Sequence, residues 1–362
     1  MSATLPPAHE PTPSVTPAAA LHLIIPFAHT GGDGEPPLAP LPDAVRLPHL
    51  RQLLATATRH RLLRVPPDSL TPPHEWACAW AQGLPTGVPE LDATAHTPPA
   101  HGSSIGTDLP ADRSLPWAAW DAAHLLPTPQ TPAAWFTPCH QEIGTHHVSL
   151  LPPQALTLSD DHSRALMAAL APLALEDGIH LRWVAADRWL ATGNVLAGAQ
   201  AASLDRVAGR SIGPWLHALP PLLRRLQSEA QMLFYTHPAH DERASAGQAP
   251  VNAFWVSGAG AAPAAPHASS ALPPPTLVHS LRDAALAADA ARWAQAWADT
   301  DRDVLPGWLA QAATGRTLHT HLCGEQGWLH ITHSPTTVWQ RLNLKISNIF
   351  SPQRFYSLVS SL

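Results

Sequence analysis

The stretch from Ser228 to Gly260 most constrains the fold, because it joins a helix pattern to a strand pattern within a short segment. Apolar residues at helical spacing continue a helix that begins near Pro220. His237-Pro238 should end that helix, since proline disfavours helical geometry in the residue before it. Asn252 to Ser257 is short, aromatic and apolar, which predicts a buried strand ending at a glycine turn. We expect the charged residues between these segments to lie in a polar loop that carries binding groups.

The composition narrows the class of protein. The chain has 362 residues, of which 45% are hydrophobic and only 13% are charged, so one large or two moderate domains are expected. The net charge is -6 and no basic block occurs, which argues against nucleic acid as the main partner. The three cysteines, Cys78, Cys139 and Cys323, are odd in number and far apart. This favours reduced thiols over a disulfide framework.

The first residues show no targeting signal. They have neither a cationic start nor an apolar core, so we expect no signal peptide, and their Pro/Ala/Thr-rich composition predicts a disordered tail over residues 1–20. No run of about 18 or more apolar residues occurs, which predicts no membrane span. We therefore expect a cytoplasmic protein.

Strand and helix patterns alternate along the chain, which predicts an α/β fold. The first strand, Leu21 to Pro26, is followed by a glycine-containing loop that matches neither phosphate-loop fingerprint, so an ordinary connection is favoured. A helix, a strand, a hairpin and a further helix from about residue 150 to 250 predict a compact α+β unit. We expect 21–140 and 276–335 to form two halves of an α/β core, 141–260 an α+β domain inserted between them, 261–275 a linker and 336–362 a tail.

Two segments are rich in possible metal ligands. The first contains Cys139, His140 and His146, but their spacing matches no closed zinc pattern, so a polar pocket wall or plain structure is favoured. The second is a predicted hairpin of residues 317–322 and 327–332. Strand alternation places His319, His321 and Cys323 on one face of it, with His330 near them on the partner strand. A solvated or half-buried face is the favoured interpretation and a ligand row is the alternative.

The central region resembles a known family. The residues that carry the resemblance are His237-Pro238, Asp241, Arg243, Gly247, Pro250, Asn252, Trp255, Gly258 and Gly260. The pattern is similar to that of the archaeal-type, cofactor-independent phosphoglycerate mutases over roughly residues 140 to 290. His240 stands where that family usually has Asn. The resemblance implies a reduced core like that of alkaline phosphatases and mutases, carrying an α+β inserted domain.

The whole chain resembles still more closely an uncharacterised bacterial family, the RpfE-type regulatory proteins, whose members are often labelled phosphoglycerate mutase. Three further segments carry this resemblance: TPCH at Thr137 to His140, SLDR at Ser203 to Arg206, and LCGE at Leu322 to Glu325.

The mutase resemblance also implies what such chemistry requires. Active mutases of this type hold two divalent metals around a Ser or Thr nucleophile, because paired cations neutralise the moving phosphoryl group. In that family an Asp-Gly pair follows the first strand, whereas this chain has Phe27-Ala28-His29 there. The late, acidic ligand segment is reduced to HLCGEQG at 321–327, and the single lysine, Lys345, lies in the tail. The resemblance thus implies an eroded metal half and a surviving substrate half.

Two hypotheses follow. The first is a small-metabolite-binding or regulatory protein without metal or cofactor, whose partner is a phosphorylated metabolite or another protein. Its ligand residues would be Arg206, His237, Asp241, Arg243, Asn252 and Trp255, although the same side chains would also suit a purely structural role at the helix–loop–strand corner. The alternative is an active phosphoglycerate mutase or phosphatase with zinc or manganese. Its rebuilt site would draw on His29, Asp33, Cys139, His140, His146, His319, His321 and Cys323.

Overall fold

The computed structural model describes residues 20–31, 37–40, 47–88, 104–145, 147–262 and 273–334. The strands are β1 (Leu21–Pro26), β2 (Arg59–Arg64), β3 (Ser104–Asp108), β4 (Ala133–Cys139), β5 (Gln141–Ile143), β6 (Val148–Leu150), β7 (His180–Ala185), β8 (Arg188–Thr192), β9 (Ala253–Gly260), β10 (Thr276–Leu277), β11 (Leu318–Cys323) and β12 (Gly327–His333). The helices are α1 (Pro48–Thr56), α2 (Pro73–Ala81), α3 (Trp117–Asp121), α4 (Pro153–Leu156), α5 (Asp160–Glu176), α6 (Leu204–Val207), α7 (Pro221–Tyr235), α8 (Pro238–Ser245), α9 (His279–Leu286), α10 (Ala290–Asp299) and α11 (Leu305–Ala313). This mixture of sheets and helices confirms the predicted α/β class.

The first sheet has six strands in the order β10-β1-β11-β12-β2-β3. β1 pairs in parallel with β10 and β11, whereas β12 pairs antiparallel with β11 and with β2, so the sheet is mixed. The β11–β12 pairing confirms the predicted hairpin. The parallel pairing of β1 with β11 brings segments from opposite ends of the chain side by side.

Side-chain alternation gives this sheet two buried faces. Leu23 and Ile25 of β1 join the core under α1, α9, α10 and α11, while Ile24 joins the core under α2. Trp293 and Trp297 of α10 are fully buried in the first of these cores, as their shared helical stripe predicted.

A second sheet is antiparallel throughout, in the order β7-β8-β4-β9. Helices α5 and α7 cover one face of it, and α3 packs against the other. β4 belongs to this sheet, although the sequence-based boundary at residue 140 grouped it with the core. That these elements form an inserted domain stays a prediction.

Residues 238–245 form helix α8, so the prediction of a polar loop there is wrong. Pro238 lies in its first turn, and the side chain of His237 accepts a hydrogen bond from the backbone N–H of Ala239 at 3.2 Å. Proline is favoured at this position because its missing N–H needs no partner there. The proline that ends α7 therefore also starts α8. The following strand, β9, runs on through Gly258 and Gly260 instead of stopping before them.

A shared core joins the two sheets. It contains Phe27 from the end of β1, Leu150 of β6, Val207 of α6, Trp255 of β9 and Leu286 of α9. This contact places the end of β1 beside α6. Among the described residues, no helix has the length and apolar character that a membrane span requires.

Candidate functional site

The chain turns sharply at the carboxyl end of β1. Phe27 has a φ of 53°, in the left-handed region that residues other than glycine rarely adopt. Trp293 Nε1 donates to the carbonyl of Phe27 at 2.8 Å, and Trp297 Nε1 donates to that of Ala28 at 3.2 Å. The N–H of Ala28 donates to the carbonyl of Cys323 at 2.8 Å. These bonds hold the strained turn, and strain of this kind is concentrated at functional sites.

Arg206 reaches from α6 to the turn between β11 and β12. The Ser203 side chain caps α6 by accepting the N–H of Asp205 at 3.2 Å, which fixes where Arg206 points. Its Nη1 donates to the carbonyl of Glu325 at 2.7 Å, and its Nη2 donates to Ser69 Oγ and, at 3.3 Å, to the carbonyl of Thr71. Nε is buried and has no partner among the described residues. Burial lowers the pKa of Arg206 to about 10, which leaves it charged at neutral pH.

Glu325 lies at the centre of a second set of contacts. Its Oε1 accepts a hydrogen bond from Arg210 Nη2 at 2.7 Å and lies 3.4 Å from the backbone nitrogen of Gly31. His29 lies near Glu325. Burial lowers the pKa of His29, whereas the negative charge of Glu325 acts in the opposite direction. The Nδ1 atom of His29 is buried without a partner in the described part of the chain. One cationic side chain, that of Arg210, and a backbone N–H thus converge on the Glu325 carboxylate.

A buried ion pair joins α6 to the core. Arg282 of α9 donates from Nε and Nη2 to the two oxygens of Asp205, each at 2.6 Å, and His74 Nε2 lies 3.0 Å from Asp205 Oδ2. Burial alone raises the pKa of Asp205, but the bonds from His74 and Arg282 bring it below its usual range. Burial lowers the pKa of His74, so a neutral imidazole donates its Nε2–H to an ionised carboxylate.

Glu75 lies next to this ion pair, and the field of Asp205 acts on its carboxyl group. Trp117 Nε1 donates to its Oε2 at 3.0 Å, and Ser203 Oγ donates to its Oε1. Burial raises the pKa of Glu75 to about 7, although both hydrogen bonds act in the opposite direction. Near neutral pH this carboxyl therefore exists in both protonation states.

Taken together, α2, α9 and the β11–β12 turn of the first sheet hold α6 through charged hydrogen bonds, and we call this region the junction. Its arginines can recognise carboxylates or phosphates. Buried polar atoms are normally paired, so Arg206 Nε and His29 Nδ1, which have no partner among the described residues, set this region apart.

The structure separates the six predicted ligand residues. Arg206 lies in the junction, and Trp255 supports it by donating from Nε1 to the carbonyl of Ala202 at 2.9 Å. His237 caps α8, and Asp241 is exposed on that helix. Their proposed role in binding stays a prediction.

Arg243 and Asn252 both bond to the backbone. For Asn252, a bond to the backbone is what a purely structural role at the helix–loop–strand corner predicts. Asn252 accepts the N–H of Gln141 at 2.7 Å and donates to its carbonyl at 2.9 Å. Arg243 is fully buried and donates to the carbonyls of Leu156 and Ala249, while its Nη1 has no partner among the described residues. Both side chains fix the corner between α8 and β9.

The described candidate metal ligands lie in several different parts of the fold. Asp33 and His146 lie outside the described residues. Cys139 is buried in the shared core, and His140 Nδ1 lies 2.8 Å from the carbonyl of Pro250. His319, His321 and Cys323 share the sheet face under α2. In the described part of the chain, no three His, Cys, Asp or Glu side chains are placed to hold a metal ion. The described donors alone therefore do not form the two-metal centre that the mutase resemblance implies.

Comparison with known proteins gives distant structural neighbours. No protein-family model matches the chain, and no curated protein matches it significantly. The cofactor-independent phosphoglycerate mutase from Thermoplasma acidophilum DSM 1728 is 12% identical, with a TM-score of 0.33, and the match covers 88% of this chain and 91% of that one. The PH0037 protein from Pyrococcus horikoshii is 11% identical, with a TM-score of 0.41 and coverage of 87% and 88%. These values leave the family unassigned, and the RpfE-type resemblance stays a prediction.

Several junction residues were not singled out from the sequence. They are His74, Glu75, Asp205, Arg210, Arg282 and Glu325. The SLDR and LCGE segments contain two of them, Asp205 and Glu325, but were used only as part of the RpfE-type resemblance. Arg282 and His74 gave no signal, because their contacts with Asp205 join parts of the chain that are far apart in sequence.

Proposed function

We propose that this protein binds a small anionic metabolite, a phosphate monoester or a carboxylate, at the junction, and that it acts as a binding or regulatory protein. The observation that carries the proposal is Arg206. Its side chain is buried, with 3% exposure, yet its Nε has no acceptor among the described residues. Withdrawing an N–H from water without an acceptor is unfavourable, and an oxygen of a bound anion supplies one.

The neighbouring charges support the same ligand class. Arg210 is 29% exposed at its side chain, whereas its partner Glu325 is 12% exposed, so Arg210 is the more accessible of the two. A planar guanidinium pairs well with two oxygens of a phosphate or carboxylate. An incoming anion would compete with Glu325 for Arg210. Because of the mutase resemblance, we propose a phosphate monoester as the first ligand to test.

We place the protein in the cytoplasm. Cys78, Cys139 and Cys323 are all buried and free, which suits a reducing compartment. A protein partner that reads the bound state would account for the regulatory role that the RpfE-type resemblance suggests.

Titration calorimetry with 3-phosphoglycerate and with inorganic phosphate tests the proposal. We expect saturable binding of the ester, and a loss of about tenfold or more in affinity for Arg210→Gln, because a charge-assisted hydrogen bond contributes about 1.5–3 kcal/mol. Arg224→Gln is the matched control, since Arg224 is exposed on α7. No heat of binding from the wild-type protein, or equal affinities for both variants, would contradict the proposal.

An active metal-dependent mutase or phosphatase is the competing function. It requires paired cations next to a nucleophile, and Phe27-Ala28 offers no ligand where the mutases have Asp. Metal analysis of the purified protein, followed by an assay of 3- and 2-phosphoglycerate interconversion with added manganese, separates the two functions. Bound metal at stoichiometric level together with turnover would establish the enzyme; turnover without dependence on His29 or His321 would point to a contaminant.

A further inference from the structure

Four histidines meet on the face of the first sheet that α2 covers, and we call them the histidine cluster. His22 lies on β1, His319 and His321 on β11, and His330 on β12. The strand register places His22 opposite His319, and His321 opposite His330. Neighbouring rings have centroids 4.8–5.4 Å apart, and several pairs are stacked nearly parallel.

Trp80 of α2 covers all four rings. Its centroid lies 5.4 Å from those of His22 and His319, 5.5 Å from that of His321 and 4.8 Å from that of His330. Trp80 Nε1 is buried without a partner among the described residues. The indole therefore packs on the cluster through its ring alone, and this contact helps to hold the end of α2 on the sheet.

Hydrogen bonds fix the protonation of one pair. Trp328 Nε1 can only donate, and it donates to His321 Nδ1 at 3.0 Å. The proton of neutral His321 must then be on Nε2, which lies 3.1 Å from His22 Nδ1, so His22 must accept. A proton added to His321 Nδ1 or to His22 Nδ1 would place two N–H groups face to face. This relay of Trp328, His321 and His22 is therefore intact only when both imidazoles are neutral.

The surroundings disfavour added charge in the same way. The second pair, His319 Nδ1 and His330 Nε2, is 2.9 Å apart, with Thr332 Oγ1 3.4 Å from each nitrogen.

The groups that face the cluster are Arg61 of β2, Cys323 of β11, Trp328 of β12 and Cys78 of α2. His333 also acts on the cluster, because its charge lowers the pKa of His319. Arg61 is a cation, and His333 becomes one when protonated. Burial lowers the pKa of His22 to about 3 and that of His319 to about 4.

We propose that the histidine cluster is an acid-sensitive latch, which holds α2 on the sheet at neutral pH and releases it when protonation breaks the relay. This goes beyond anion binding, because it adds a signal that acts on the junction from a distance. Helix α2 carries Trp80 at one end and His74 and Glu75 at the other. Release of the helix would break the bonds from His74 to Asp205 and from Ser203 to Glu75.

The direction of the effect follows from linkage. Each of these histidines has a lower pKa in the folded state than the unfolded value of about 6.5, so its contribution is complete above that pH and is lost as the pH falls below it. Each one changes the opening equilibrium by up to about tenfold per pH unit in that range. Opening of α2 should therefore rise steeply between about pH 6.5 and 4.5.

Hydrogen exchange followed by mass spectrometry, corrected for intrinsic rates, tests the latch on the full chain. We expect the amides of α2 to exchange at least about tenfold faster at pH 5 than at pH 7.5, while those of α7 stay protected. His22→Asn should reduce this acceleration, because an amide oxygen can accept from His321 without titrating. His330→Gln, which keeps a nitrogen near Nε2, is a second variant, and His217→Asn at an exposed position is the control.

Three results would overturn the latch. The first is equal protection of α2 at both pH values. The second is simultaneous loss of protection in α2 and α7, which is global unfolding. The third is stoichiometric zinc in the purified protein that is lost in His22→Asn, because the histidines would then be metal ligands.

Discussion

Nη2 of Arg210 donates a 2.7 Å hydrogen bond to Oε1 of Glu325, and the same oxygen lies 3.4 Å from the backbone nitrogen of Gly31. A carboxylate of the protein itself thus occupies a position suited to an anion. The backbone carbonyl of Glu325 meanwhile accepts from Arg206. The β11–β12 turn is therefore both a support for the junction and a competitor for its cations.

Replacing this competitor should strengthen ligand binding. Glu325→Gln keeps the backbone contact with Arg206 but removes the negative charge that pairs with Arg210. We expect the affinity for 3-phosphoglycerate to rise by about tenfold, as measured by titration calorimetry, because the ligand no longer displaces a charged hydrogen bond. An unchanged or weaker affinity in a variant that folds normally would show that the ligand does not compete with Glu325.

The ion pair between Arg282 and Asp205 should be a major stabilising contact. Arg282→Gln leaves the Asp205 carboxylate buried with His74 as its remaining side-chain partner, and breaking a buried pair costs about 3–5 kcal/mol. Chemical denaturation at neutral pH measures the loss. Arg302→Gln is the control, since Arg302 makes its ion pairs on the surface, and we expect almost no change there. Equal effects of the two substitutions would contradict this role for Asp205.

The titration of Glu75 should make stability depend on pH. Burial raises its pKa from 4.5 to about 7, so the folded protein keeps a proton that the unfolded chain has lost. The contribution of this group is complete below about pH 4.5 and is lost as the pH rises to about 7. Glu75→Gln cannot lose that proton, so its stability relative to wild type should grow by about 3 kcal/mol across this interval. Denaturation of both proteins at several pH values gives the difference, and a constant difference would contradict the shift.

Arg243 offers a test between a ligand role and a structural role. It is buried and donates to the carbonyls of Leu156 and Ala249. We expect Arg243→Lys to lower the free energy of unfolding by about 1–3 kcal/mol, because at least one buried carbonyl loses its donor. The affinity for 3-phosphoglycerate should stay unchanged. A drop in affinity with normal stability would instead support the predicted ligand set around His237 and Asp241.

The sequence predicted contacts that depend on local periodicity. Strand alternation grouped His319, His321 and Cys323, and pointed to His330 on the next strand, because successive side chains on a strand face opposite sides. His22 was not added to this group, since its place depends on the parallel pairing of β1 with β11, which no local pattern encodes. Apart from Arg206, the junction was missed for the same reason. Its contacts join α2, α6 and α9, which are distant in sequence.

One local error has a different cause. Pro238 was interpreted only as the end of a helix, although proline is also favoured in the first helical turn. With His237 as its cap, it starts α8 and places Asp241 and Arg243 on a helix instead of a loop. Reading both roles of proline would have predicted this helix.

Calorimetric titration of the metal-stripped protein with 3-phosphoglycerate, with and without added manganese, is the most direct test of anion binding without metal chemistry. The proposal predicts saturable binding with one ligand per chain, of similar affinity in both conditions, and no conversion to 2-phosphoglycerate. Binding that appears only with manganese and is followed by conversion would contradict it.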